Sequence, residues 1–531
     1  LERRSRSGPI LAVAAVAGAA TMAVELAAVR LLAPWFGASS RVWTNVIGVI
    51  LLALALGYLL GAKLAAKERP RRVLAWTLVG AAAWTAWLPW LAGHVCRWFL
   101  PDGLGLDRAM ELWTWGSLAS TAVLFLPSAL LLGCVGPLAL ECVQRAEGSS
   151  AGSAGGRVLA WSTLGSLAGT FATTHALVPW LGLSWTFVGA GCTLLALGLA
   201  LAFAERGAAR SAGAAALLVC AGAVFGSRLV RSAAPEGVVV LEERESSYQS
   251  VRAIEDRRWG EPLRLLQVNE GLDSFQSVWK PQAGLLGPGY YYDLFALPAW
   301  WSGEREKWKV LVLGLGAGTT FRVLRGATPE GVELELVGVE LDPVVVEFGE
   351  RWFELDASRE RVIAGVDARA ALAALESDFD LIVLDAYARQ VEIPFHLSSE
   401  EALRTMRAHL APGGWLAINV GGFGFDDPVV AGLGGTLARV FEHCAGYRVP
   451  ASRNFVLFAR ADEPVPLPSS PEFRFAGAVG DALLPALSIP GASARLEPAP
   501  LGLTLTDDRN PIDELQMRSL EEARGRLRAS L

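Results

Sequence analysis

The chain has 531 residues, of which 52% are hydrophobic and 19% charged, against roughly 25% charged in an ordinary soluble domain. A net charge of −6 gives no basic footprint for nucleic acid. Six cysteines with no CxxC pair and no Cys/His cluster, and only five histidines, argue against a metal centre or a disulfide scaffold.

The apolar residues are not spread evenly. Up to about Pro235 the chain is almost unbroken Ala, Leu, Val, Gly and Trp, and charge at normal density begins after it. Residues 1–235 are therefore expected to form a multi-span helical membrane bundle. About seven stretches are long enough to span: 10–33, 43–62, 73–93, 115–140, 158–180, 184–204 and 211–230. Each approaches the ~20 residues that cross ~30 Å of hydrocarbon. Trp35, Trp43, Trp98, Trp113, Trp161, Trp180 and Trp185 near their ends suit interfacial belts. Basic residues after the second, fourth and sixth spans mark one side as cytoplasmic. Seven spans would put the rest of the chain on the other side, in conflict with the cytosolic chemistry expected below. Glu25 and Arg30 interrupt the first span and are a candidate intramembrane site or a structural ion pair. Gly57, Gly61, Gly165 and Gly169 suit close helix packing, and the cysteines read as small buried hydrophobes.

Residues 236–302 read as a small β-rich domain, with strands at 237–242, 250–256 and 263–268, a turn at 269–271, and helix resuming at 290–300. Residues 303–531 read as a Rossmann-like α/β domain. Strands are expected at 310–314, 334–340, 362–364, 379–384 and 415–420, with helices at 342–352, 368–375 and 400–410 between them. Such alternation predicts a doubly wound, mainly parallel sheet with its ligands beyond the C-terminal strand ends.

The candidate site residues follow from that placement. Gly314, Gly316 and Gly318 join the first of these strands to its helix, where glycine permits a tight turn and close approach to a ligand. The turn alone does not separate a dinucleotide from S-adenosylmethionine. Glu340 ends the second strand, 22 positions after Gly318, where a carboxylate can accept from ribose hydroxyls. Asp342 is expected to cap the next helix. Asp367 is a candidate for the adenine side or for a helix cap. Asp385, after the apolar strand 379–384, is the candidate catalytic residue that holds or deprotonates an acceptor amine. Tyr387 is expected to line the acceptor pocket, with 389–399 as a loop over it. His396 reads as a surface or supporting residue. Gln249, Tyr292 and Asp293 are expected to face cofactor or substrate from the small β domain, and 506–508 to be a pocket wall or a helix cap.

These residues resemble the spermidine synthase-like family, in particular bacterial membrane-fused members. The resemblance rests on VLVLGLGAGTTFRVLRG at 310–326, VGVELDP at 337–343, FDLIVLDAY at 379–387 and LRTMRAHLAPGGWLAINV at 403–420. In the apolar half it rests on VELAAVRLLAPWFGASSRVWTNVIGVILLALALGYLLGAK at 24–63 and LPSALLLGCVGPLAL at 126–140, and near the end on LTDDRNPID at 505–513. It implies transfer of an aminopropyl group from decarboxylated S-adenosylmethionine to a small amine, with release of methylthioadenosine and no metal. Glu340 would then hold the ribose, Asp367 the adenine, Asp385 the amine, and Gln249 the cofactor side. The second acid of the family's D-x-x-D loop falls at Ala388, and its tyrosine–histidine–glutamate patch has Tyr292 in place of histidine.

Two alternatives stand beside aminopropyl transfer: a methyltransferase using intact S-adenosylmethionine on another or membrane-near acceptor, and a transporter or sensor with a nucleoside-binding domain. The expected surroundings are a bacterial inner membrane with the α/β domain cytoplasmic, a lipid bilayer and a small amine as partners, no nucleic acid, and a homodimer as in soluble relatives.

Overall fold

A computed structural model describes residues 7–530 apart from 37–39, 100–105, 204–218, 223, 226–235, 247, 259, 269–274, 283, 304, 388–392, 471–472, 474–476 and 501–503. The expected turn at 269–271, the domain boundary at Pro235, Ala388 and most of the span at 211–230 lie outside the described residues. The chain forms two compact units, Leu1–Ala233 with Glu245–Gln249, and Ala234–Arg244 with Ser250–Leu531.

The first unit is helical. Its helices are α1 (Gly8–Phe36), α2 (Ser40–Ala65), α3 (Pro70–Phe99), α4 (Leu106–Glu147), α5 (Ala151–Ala172) and α6 (Gly182–Phe203), the last two joined by a π-helical turn, Thr173–Leu181. Among the described residues, five apolar helical stretches are long enough to cross a membrane, and the last of these, Ala151–Phe203, is 53 residues long. Interhelical contacts show that this last stretch passes through the bundle twice. Trp84 on α3 donates to the Leu124 carbonyl while Gly80 lies against Leu131, so α3 and α4 are antiparallel. Gly165 meets Ala15 and Gly169 meets Ala19, so α5 runs parallel to α1, and Ser7 at the start of α1 binds Glu147 at the end of α4, so both are antiparallel to α4. Gly191 meets Ala82 and Gly198 meets Ala75, so α6 is antiparallel to α3 and hence to α5. The chain reverses at Gly182, whose φ of 79° is open to glycine and strained for other residues. The first six expected spans make six passes, the sixth returning to the side on which α1 begins, and most of the seventh lies outside the described residues.

Small residues let these helices touch. A Cβ on Gly165 would lie 1.8 Å from the Ala15 carbonyl oxygen, and one on Gly57 2.3 Å from that of Leu130. Such backbone-to-backbone approach is the way apolar helices associate without a water-driven force between them. The expected Glu25–Arg30 pair does not form. Five positions on a helix turn side chains about 140° apart, and Arg30 instead donates to the Ser246 carbonyl at 3.2 Å. Cys96, Cys134, Cys142 and Cys444 are buried as expected, whereas Cys192 and Cys220 are exposed.

The second unit contains two sheets. The smaller has the order β1–β2–β3–β4, from Val238–Glu245, Ser250–Asp256, Leu263–Val268 and Ser277–Trp279. The larger has eight strands in the order β12–β10–β11–β9–β8–β5–β6–β7. Strands β5 (Lys307–Leu313), β6 (Glu333–Glu340), β7 (Arg361–Ala364), β8 (Phe379–Leu384) and β9 (Leu410–Gly421) are parallel, and β10 (His443–Arg448), β11 (Asn454–Arg460) and β12 (Ser493–Arg495) extend them antiparallel. The strands are continuous Val, Leu and Ile because both faces are covered: Val310 and Val312 enter one core cluster, Leu311 and Leu313 the other. The chain builds outward from β5 to β7 and then crosses back to β8 on the opposite side of β5. The crevice between the ends of β5 and β8 is thus a topological switch point, the place where open α/β sheets receive ligands.

Candidate active site

The glycine turn is built against backbone on both sides. Gly314, Gly316 and Gly318 all have positive φ, at 87°, 57° and 91°. The Gly314 and Leu315 N–H groups both donate to the Val339 carbonyl at 3.0 Å, drawing the turn over β6. A Cβ on Gly314 would sit 2.5 Å from the Asp385 carbonyl oxygen, so the turn and the end of β8 are in direct backbone contact. From the other side β4 closes on the turn. Ser277 accepts from the Ala317 N–H at 2.9 Å, and Thr319, in helix α7 (Thr319–Ala327), accepts from the Val278 N–H and donates to its carbonyl.

Glu340 stands at the tip of β6. One carboxylate oxygen accepts from the Gly316 N–H at 2.9 Å and the other from the Asp342 N–H at 3.0 Å. Desolvation raises its pKa above the ordinary carboxylate value, and these N–H groups oppose the rise. Asp342 caps helix α8 (Pro343–Trp352) by accepting from Val344, as expected.

Asp385 leaves β8 with its N–H on the Leu313 carbonyl at 2.9 Å. Its side chain accepts from Asn419 Nδ2 at 2.9 Å and is hydrogen-bonded by Tyr291. Burial is the largest influence and pushes its pKa up to about 7; the Asn419 and Tyr291 bonds pull it down, and the Glu340 charge adds to the rise. Asn419 is in turn fixed by Asn454, which donates to its Oδ1 at 2.8 Å. The Tyr291 phenol is held well above its usual pKa, chiefly by burial and next by the Asp385 charge. Tyr387 donates to the Asn419 carbonyl at 3.0 Å and accepts from the Gly421 N–H, which pins it to the end of β9. Among the described residues no Lys or Arg forms an ion pair with Glu340 or Asp385. The arrangement is two partly desolvated carboxylates at one crevice, with no ion pair to a Lys or Arg among the described residues.

Asp367 follows β7 and caps the short helix α9 (Ala368–Leu372) through the Arg369 N–H at 2.9 Å. Its second oxygen meets His396 Nε2 at 2.8 Å. The partner that the sequence did not supply for His396 is therefore Asp367, 29 positions earlier. The segment at 506–508 caps no helix. Asp507 instead binds Arg369 through both oxygens and accepts from Ser399 at 2.6 Å.

The sequence misplaced two side chains. Tyr292 is 2% exposed and its hydroxyl donates to the Gln276 carbonyl at 2.9 Å. Asp293 is fully buried, and its two oxygens accept from the Leu286 and Gly287 N–H groups at 2.8 Å each. Burial pushes the Asp293 pKa up to about 6. Both side chains order the backbone that carries Tyr291, which is the residue of this run that reaches Asp385. Gln249 lies in a Ser246–Gln249 turn within the segment that clusters with the helices. Asn419, Asn454 and Ser277 were not foreseen. The signal for Asn419 was a lone amide in the apolar run of β9, since buried polar groups require a partner.

No family model matches the chain. It is 31% identical over 217 residues to the "probable polyamine aminopropyl transferase" of Bifidobacterium longum, covering 40% of this chain and 45% of that one. It is 33% identical over 114 residues to the polyamine aminopropyltransferase of Vibrio vulnificus, covering 21% of this chain and 37% of that one. The chain thus spans less than half the length of either curated relative. Among solved structures, a probable spermidine synthase from Corynebacterium glutamicum superposes with a TM-score of 0.39 at 21% identity, covering 50% of this chain and 91% of that one. The sequence matches make the chain spermidine synthase-like over the matched length.

Proposed function

We propose that the protein is a membrane-bound aminopropyltransferase that moves the aminopropyl group of decarboxylated S-adenosylmethionine to a small amine and releases methylthioadenosine. The observation that carries this reading is the pair Asp385 and Glu340: two carboxylates at the switch point, raised in pKa by desolvation and unpaired with any described Lys or Arg. Such a crevice favours a cation, and both the sulfonium donor and an amine acceptor are cations near neutral pH. The sequence likeness to polyamine aminopropyltransferases supports the same reading.

The chemistry is a displacement. The neutral amine nitrogen attacks the carbon next to the sulfonium, a C–N bond forms, and the C–S bond breaks with its electron pair passing to sulfur. The new ammonium gives up a proton, for which the Asp385 carboxylate is the acceptor. A group with a pKa of about 7 exchanges protons readily near neutral pH. Tyr291 and Asn419 fix its orientation, so that little reorganisation is needed during reaction. Glu340, with one N–H on each oxygen, keeps lone pairs for two ribose hydroxyls. Asp367 supplies the adenine side, and Tyr387 with Tyr291 lines the acceptor pocket. Gln249 is assigned to the donor from its place in the sequence.

The membrane assignment is supported by the outward faces of the helical unit. Leu51, Leu52, Leu59, Leu159, Leu164 and Trp180 are each more than half exposed, a surface costly in water and suited to lipid.

The test is mass spectrometry of products after the full chain is incubated with each donor form and a panel of diamines. Methylthioadenosine with an aminopropylated amine is expected. S-adenosylhomocysteine from the intact donor would make it a methyltransferase, and binding without turnover would favour a sensor.

A further inference from the structure

A cleft of about 790 Å³ opens where α2 gives way to α3. Its rim carries Lys67, Arg69 and Arg72, and its wall carries Trp76 and Leu131. The three cations are exposed, and none is paired with a carboxylate among the described residues. Glu68 also lines the cleft, so these four charges sum to +2. The loop is held in place from below: Arg145 on α4 donates to the Glu68 carbonyl at 3.1 Å while its Nε binds Glu141 at 2.6 Å. The cleft is therefore preformed by backbone and does not depend on the rim cations holding one another.

Its position supplies the second half of the recognition. Leu51, Leu52, Leu56, Leu59 and Leu60 form an exposed apolar strip on α2 that runs toward the cleft. A ligand matched to both features has a phosphate for the rim and long apolar chains for the strip, Trp76 and Leu131. We propose that this cleft binds an anionic glycerophospholipid, phosphate on Lys67, Arg69 and Arg72, acyl chains along α2. The proposal rests on the membrane reading above. Basic residues beside a membrane helix attract anionic headgroups, each adding a few-fold to affinity, and a free phosphate would leave the apolar wall unused.

The experiment uses the full chain in nanodiscs of phosphatidylcholine into which phosphatidylglycerol is titrated, with bound lipid counted by native mass spectrometry. The wild type is expected to retain phosphatidylglycerol over phosphatidylcholine. The triple change Lys67→Gln, Arg69→Gln, Arg72→Gln should weaken that retention about ten-fold or more. Arg97→Gln, a single charge loss near the other end of α3, should leave it unchanged. Trp76→Ala keeps the charges and removes apolar wall, and should weaken retention of the lipid but not of glycerol 3-phosphate. Equal retention by the triple variant, equal binding of both lipids, or full competition by millimolar glycerol 3-phosphate would each overturn the proposal. Alkaline carbonate extraction separates the two readings. Release from membranes would refute membrane insertion itself, whereas retention with no headgroup preference would refute the cleft alone.

Discussion

Replacing Gly314 by alanine tests the contact on which the site is built, and Gly331 provides its control. Both glycines have a φ of 87°. A left-handed conformation costs a residue with a Cβ about 1–2 kcal/mol at either position. At Gly331 nothing lies within 4 Å of the added Cβ, so that is the whole cost. At Gly314 the Cβ would meet the Asp385 carbonyl oxygen at 2.5 Å and the Ala386 Cα and N at 2.6 and 2.7 Å. These are backbone atoms in line with two strands and cannot swing aside, so about 1–3 kcal/mol of overpacking is added. Moving them also strains the Asp385 N–H bond to Leu313, worth about 1 kcal/mol. The totals are about 1–2 kcal/mol for Gly331→Ala and about 3–6 kcal/mol for Gly314→Ala. Hydrogen exchange read by mass spectrometry on peptides covering β5 and β8 measures the difference directly. Gly314→Ala should speed exchange there by about 10²- to 10⁴-fold, capped by global unfolding, and Gly331→Ala by less than about 30-fold. Equal protection in the two variants would refute the claim that the turn and the β8 end are locked together.

Asp385→Asn should lower kcat by about 10²–10⁴-fold, measured as methylthioadenosine release, because the proton acceptor is lost. In the wild type the carboxylate form is the active one, so kcat/KM should rise with pH through about 7. Asn419→Leu removes a donor that favours the charged form and should move that midpoint upward, while a bound cationic donor should place the kcat midpoint lower. His396→Ala leaves the helix cap of Asp367 intact but frees its second oxygen. The half-exposed pair is worth at most about 1 kcal/mol, so methylthioadenosine affinity by calorimetry should fall about five-fold or less. Asp293 has a folded pKa of about 6, raised from an ordinary value of 3.8. Its contribution to stability is complete below the ordinary value and is lost as pH rises through about 6. Urea midpoints followed from pH 4 to 7 should show that slope, and Asp293→Asn should flatten it.

Much of the second unit was legible because its signals are local. Apolar runs broken by glycine, with acids placed directly after them, gave β5, β6 and β8 and put Gly314, Glu340 and Asp385 at strand ends, since a parallel strand buried on both faces has no other composition open to it. The caps at Asp342 and Asp367 were local too. The partners were not. Tyr291 and Tyr292 are adjacent and equally polar in the sequence, and only the 3₁₀ turn Tyr291–Ala296 sends one to Asp385 and the other into the core. Asn419 reaches Asp385 across 34 positions and His396 reaches Asp367 across 29, separations that no local pattern encodes.

In the helical unit the same division holds. Composition alone identified the apolar helices, because hydrocarbon-length runs without charge have few other uses. It did not pair Arg30 with its acceptor or say which helix faces Gly165 and Gly57 bring into contact. Sequence by itself determined which segments avoid water and which residues end strands, since both are decided within a few residues of chain. Tertiary structure alone decided which carboxylate has which donor, which tyrosine reaches Asp385 and which described cations have no carboxylate partner, since those depend on atoms brought together from distant parts of the chain.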